Sequence, residues 1–218
     1  MARAHLPLPC LALVTQYSLC PSDLFIERVA EAVSGGVRLV QLREKEMPAG
    51  QLLRLAEELR RAIAGRALLV VNDRLDVALA AGAEGVHLPE DGLPVAAARR
   101  VLGNDLLIGR SVHNLEAAVE AQAEGADYLF AGTIYPSVSH PGSTTSGPAL
   151  LKQISAAVSI PVLGIGGITR DNVGEVMRAG ASGAAVITAV LVALQPENAA
   201  RQLHAAMSSK QVVQGDGR

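Results

Sequence analysis

A chain of 218 residues, half of them hydrophobic and 18% charged, is long enough to bury one sizeable core and too apolar to be disordered. A formal net charge of −2 and aromatic residues at 2% exclude the basic, ring-rich surface that nucleic-acid binding needs. Cys10 and Cys20 have no CxxC spacing, so neither a disulfide framework nor a zinc site is expected, and the thiols are read as reduced.

In chain order, the apolar stretch from Leu6 to Val14 comes first. It is interrupted by Pro7 and Pro9, is too short to span a bilayer and precedes no cleavage signature, so a cytoplasmic location without membrane association is expected. Apolar, partly β-branched runs bounded by turn residues predict strands at Leu11–Thr15, Leu39–Leu42, Ala67–Asn72, Gly85–Leu88, Leu107–Ser111, Tyr128–Ala131, Pro161–Gly164 and Gly183–Ile187. Between them, stretches such as Ala49–Ala64, Leu115–Glu124 and Asp171–Ala179 carry apolar residues three and four apart and predict covering helices. Gly82, Gly125 and Gly180 recur where a helix ends and a strand opens, the place for a left-handed C-cap. This β-then-α order, with no Gly-x-Gly-x-x-Gly after the first strand, predicts a (β/α)8 TIM barrel. The expected boundaries are one domain over residues 1–218, with a core at about 10–208 and a frayed tail at 209–218.

Polar residues gather at the predicted strand ends: Thr15, Gln41 to Lys45, Asn72-Asp73, His87, Ser111, His113 and Gly132-Thr133. In a barrel these positions converge on one rim. Gly164-Ile165-Gly166-Gly167 after the seventh strand and Ile187-Thr188-Ala189 after the eighth make a candidate phosphate cup, where backbone N–H groups and a short helix meet an anion. Gln41, Arg43 and Lys45 alternate, so one strand-like stretch would aim all three at an anionic group. Asp73 suits either Mg2+ or the cap of a helix beginning at Arg74. His113 is placed for proton exchange near neutral pH, and His87, inside its strand, reads as a satisfied core or rim residue. The loop Ser137–Gly147, which contains His140, has the composition of a lid.

These segments resemble the thiamine phosphate synthase/TenI family over nearly the whole chain: Gln41–Lys45, Asn72-Asp73, Gly85–Leu88, Gly109–His113, Ala126–Tyr128 with Gly132, Gly164–Ile168 and Ala179–Thr188. The resemblance implies a (β/α)8 barrel, usually a homodimer, acting on a thiazole phosphate. In the synthase branch a hydroxymethylpyrimidine diphosphate is joined to the thiazole phosphate with Mg2+ held by two aspartates. The first aspartate maps to Asp73 and the second to Gly92, with Asp91 one position early. In Tyr135–His140, a diphosphate-binding lysine of the synthases maps to His140. Leu88-Pro89 and Gly109–His113 resemble the TenI, or thiazole tautomerase, branch, which uses no metal.

The expectation from these departures is a tautomerase that aromatises a carboxythiazole phosphate without a cofactor. His113 takes a proton and Lys45 or a water returns one. Gly167, Ile187 and Thr188 would hold the substrate phosphate, Ser137 and Ser139 would line the thiazole side, and Gln41, Arg43, Asn72 and Ser111 would complete the binding set. The alternatives are the Mg2+-dependent synthase, with Asp73 on the metal, and a non-catalytic regulator.

Overall fold

Short parallel strands alternate with helices along the whole chain, in a computed structural model that describes residues 4–137 and 145–208. The strands are β1 (Cys10–Val14), β2 (Leu39–Leu42), β3 (Leu68–Asn72), β4 (Gly85–Leu88), β5 (Leu107–Val112), β6 (Tyr128–Ala131), β7 (Val162–Ile165) and β8 (Gly183–Val186). The helices are α1 (Phe25–Ser34), α2 (Ala49–Ile63), α3 (Leu75–Ala81), α4 (Val95–Leu102), α5 (Leu115–Ala123), α6 (Gly147–Ala157), α7 (Val173–Arg178), α8 (Thr188–Leu191) and α9 (Pro196–Ser208). Strand β1 pairs in parallel with both β2 and β8, so the sheet closes into the expected barrel. The predicted strands match to within a residue or two at each end; Thr15 lies just past β1 rather than in it.

Period-two alternation sorts each strand between two cores. Cys10, Ala12 and Val14 pack inside the barrel with Leu39, Val70, Tyr128, Phe130, Leu163 and Ala185. Leu11, Leu13, Val40, Leu42, Leu69 and Val71 face outward and pack under the helices. Helix α2 meets them with Leu52, Leu55, Ala56, Leu59 and Ile63, whose spacing keeps one apolar stripe on the sheet. Each fully buried leucine of this kind contributes roughly 1.5–3 kcal/mol. Gly82, Gly125 and Gly180 have φ of 64°, 97° and 96°, so the repeated glycine does end helices in the conformation that a Cβ would strain.

The N-terminal ends of the strands are tied down structurally. Arg99 of α4 donates to the carbonyls of Gly103, Leu106 and Gly125 and to Asp127 Oδ2 at 2.7 Å, and the same carboxylate accepts from the Ile108 N–H at 2.7 Å. The opposite end is left open for chemistry. Cys10 and Cys20 are free thiols, and burial pushes the Cys10 thiol up to about 12. Among the described residues no helix is long and apolar enough to cross a membrane. The tail 209–218 lies outside the described residues.

Candidate active site

The inward alternation that packs the barrel carries polar residues at its C-terminal layer. Thr15, Gln41, Asn72 and His87 are the buried polar side chains among the described residues, and each closes a strand end. Burial obliges each to find a partner. Gln41 Nε2 donates to Asn72 Oδ1 at 2.9 Å, linking β2 to β3. The Thr15 hydroxyl donates to Glu44 Oε1 at 2.6 Å and accepts from the Arg43 N–H at 3.0 Å, and Glu44 Oε2 accepts from the Tyr17 N–H at 2.9 Å. Glu44 is therefore a brace that folds the end of β2 over β1. Burial raises its carboxyl pKa, against the lowering effect of those hydrogen bonds.

Above this layer opens a cavity of about 1100 Å³. Gln41, Arg43 and Lys45 all line it, although β2 ends at Leu42 and the two cations are carried by the loop that Glu44 braces. Asn72, Ser111, His113, Ser137, Gly167, Ile187 and Thr188 line the same cavity. Burial lowers the pKa of the Arg43 guanidinium, which leaves it still cationic. Gly166 and Gly167, with φ of 100° and 60°, line the cavity together with Thr188, the first residue of α8. Ser139 and His140 lie outside the described residues.

One expectation changes here. Asp73 does not cap a helix: α3 begins at Leu75, its N-cap is Arg74 with no side-chain cap, and Asp73 itself has φ of 61°. Its carboxylate instead leans toward the loop after β4, where a Cβ on Gly92 would stand 3.0 Å from Asp73 Oδ1 and 2.8 Å from the Pro89 ring. Gly92 thus packs against the Pro89 ring and the Asp73 carboxylate, which would have to shift for a larger side chain. His113 lines the cavity with its Nδ1 2.5 Å from Glu90 Oε2, and its backbone N–H donates to Glu90 Oε1 at 3.3 Å. Arg110 joins this arrangement by donating to the carbonyls of Glu90 at 2.8 Å and Leu93 at 2.9 Å. Together they pin the loop that presents Asp91 to the cavity.

The groups that sequence reasoning did not single out are Glu44, Arg110 and Tyr128. Tyr128 is fully buried, and its hydroxyl lies 3.1 Å from His87 Nδ1, while His87 Nε2 lies 2.9 Å from the Ser111 hydroxyl. Burial, with Arg110 and Arg43 adding to it, drives the His87 imidazole down to about 3, so it is neutral at physiological pH. Only Gly109, which hinted at close packing by being a glycine inside a strand, was a local signal for this cluster.

A closed parallel barrel with its buried polar layer and one large cavity at the C-terminal strand ends has the layout of a (β/α)8-barrel enzyme. The thiamine monophosphate synthase family profile matches residues 11–190, and the chain belongs to that family. It is 46% identical to a thiamine-phosphate synthase of Anaeromyxobacter dehalogenans over 87% of this chain and 86% of that protein. It is 42% identical to one of Chlorobium luteolum over 99% and 100%. The solved structure of a thiamine phosphate pyrophosphorylase from Pyrococcus furiosus, 38% identical, superposes with a TM-score of 0.83 over 91% of this chain and 95% of that one.

These relatives overturn the tautomerase expectation, and with it the proton shuttle assigned to His113 and Lys45. That expectation rests on two departures, Gly92 and His140: a Cβ at Gly92 would meet the Pro89 ring and Asp73 Oδ1, so the position stays without a carboxylate, and His140 lies outside the described residues.

Proposed function

We propose that the chain is a thiamine-phosphate synthase, joining a hydroxymethylpyrimidine diphosphate to a thiazole phosphate. The observation that carries the reading is one cavity with two separate anion-holding features. Arg43 and Lys45 line it after β2, and the Gly166-Gly167 turn and Thr188 at the start of α8 line it after β7 and β8. A substitution between a diphosphate ester and a phosphorylated heterocycle needs two such features. The bond from the pyrimidine methylene carbon to the diphosphate oxygen breaks, and the thiazole nitrogen takes its place.

In this reading Arg43 and Lys45 neutralise the departing diphosphate, Arg as a fork and Lys as a point charge. Gly167, Ile187 and Thr188 hold the thiazole phosphate, while Gln41 and Asn72, locked to each other at 2.9 Å, offer a fixed polar floor. The donor set also suits Mg2+, which binds through one or two carboxylates and completes its shell with substrate phosphate oxygens. Asp91, which the pinned loop presents to the cavity, would hold it, together with Asp73, whose carboxylate stands against Gly92 outside the cavity lining. When bound, Mg2+ supplies charge stabilisation to the leaving diphosphate. The names of the relatives support the same reading.

The test is thiamine phosphate formation by the purified protein from the two substrates with Mg2+, and again with EDTA. Turnover is expected with the metal, lost with the chelator and lowered at least about 100-fold by Asp73→Ala. Absence of turnover with both substrates and Mg2+ present would overturn the proposal.

A further inference from the structure

Tyr128, His87 and Ser111 form a chain of hydrogen bonds from the dry interior of the barrel to the cavity wall. The register explains how they meet. His87 of β4 stands opposite Gly109 of β5, and Gly109 stands opposite Tyr128 of β6. With no side chain on Gly109, the ring and the phenol reach each other across the middle strand. A Cβ there would fall 2.2 Å from Tyr128 Cζ and 2.5 Å from His87 Nδ1. Phe130, its ring centroid 4.3 Å from that of His87, holds the imidazole from another side.

The polarity of this chain follows from its buried end. Among the described residues the Tyr128 hydroxyl has one hydrogen-bond partner, His87 Nδ1, and the residue is fully buried. Its proton has nowhere else to go, and a buried O–H left without an acceptor is costly. The phenol therefore donates to Nδ1, which leaves the ring proton on Nε2. That proton is donated to the Ser111 oxygen, so the hydroxyl proton of Ser111 is released toward the cavity.

We infer that Tyr128 and His87 are positioning residues that hold Ser111 as a hydrogen-bond donor into the cavity, set to receive an acceptor-only, anionic oxygen of the substrate. The assignment of that oxygen to a diphosphate or phosphate rests on the synthase reading. The direction of the relay does not.

Long-range 1H–15N spectra of 15N-histidine-labelled protein, with His87 assigned by the His87→Gln variant, read the tautomer without any ligand. The neutral Nε2–H form is expected, and the Nδ1–H form would overturn the relay. Calorimetric titration with inorganic pyrophosphate, with and without Mg2+, then reads its consequence in variants. Gln reaches the Nε2 position and keeps a donor on Ser111, so His87→Gln is expected to bind within about threefold of wild type. Asn reaches only the Nδ1 position, so His87→Asn is expected to bind about 10-fold or more weakly, as is Ser111→Ala. Equal losses in the Gln and Asn variants would mean a packing role alone and would refute the positioning role. If wild type binds no pyrophosphate, the synthase reading fails, and the relay is judged by its tautomer.

Discussion

Lowering the pH from about 7 to about 5 is expected to cost the barrel stability through His87 alone, by an amount that its burial sets. In the unfolded chain this imidazole takes a proton near its ordinary value of 6.5, while in the fold it holds out to about 3. Between those values the unfolded state binds the extra proton, so stability falls as pH falls. At about 1.4 kcal/mol per fully developed pH unit, and with titration of the unfolded chain just beginning near pH 7, the loss by pH 5 is about 2 kcal/mol. Glu44 and Asp76, whose carboxyl pKa values are also displaced in the fold, contribute their own slopes, so the measurement is a difference. Urea unfolding followed by circular dichroism at both pH values, on wild type and His87→Gln, isolates the contribution. The gap between the two proteins should shrink or reverse by about 2 kcal/mol on acidification. Curves that stay parallel would mean that His87 is hydrated or already charged in the fold, and the buried relay would fall with that result.

Gly109→Ala should lower the unfolding free energy by about 1–3 kcal/mol and shift the His87 imidazole resonances, because its Cβ would enter the space shared by Tyr128 and His87. In Gly92→Ala the added methyl meets Asp73 and the Pro89 ring, so in the synthase assay the Mg2+ concentration for half-maximal rate should rise severalfold; an unchanged metal dependence would show that Asp73 does not need that space. Glu44→Ala removes the acceptor of both the Thr15 hydroxyl and the Tyr17 N–H, with an expected loss of about 1–3 kcal/mol in denaturant titration and a raised KM for the diphosphate substrate as Arg43 and Lys45 lose their brace. Asp127→Ala takes from Arg99 and the Ile108 N–H a carboxylate held far from the cavity, so it should cost about 3 kcal/mol of stability with kcat/KM of the remaining folded enzyme unchanged.

Why the reaction was misassigned from sequence while the family was recognised can be followed at two residues. Gly92 occupies the place of an expected aspartate, and along the chain the missing carboxylate reads as loss of metal chemistry unless Asp91, one position early, replaces it. In space the same glycine packs against the Pro89 ring and the carboxylate of Asp73, nineteen positions earlier, a residue the sequence leaves open between metal ligand and helix cap and whose capping role ends with α3 starting at Leu75. The second residue is His140, which stands where the synthases have a lysine and lies outside the described residues, so the sequence alone speaks for it.

What the sequence by itself determined is everything that depends on short-range period and composition. The alternation of apolar strand runs with amphipathic helices, the glycines that end those helices, and the collection of polar residues at strand ends were all legible, because each is dictated within a few residues of its neighbours. What only the tertiary structure decided is which of those rim groups touch. The meeting of Tyr128, His87 and Ser111 depends on the register of β4, β5 and β6, and the fold of the β2 loop depends on a carboxylate bonding to a residue on β1's end. Register is fixed by closure of the whole barrel and by packing on both sides of the sheet, which are sums over distant contacts that no local window contains.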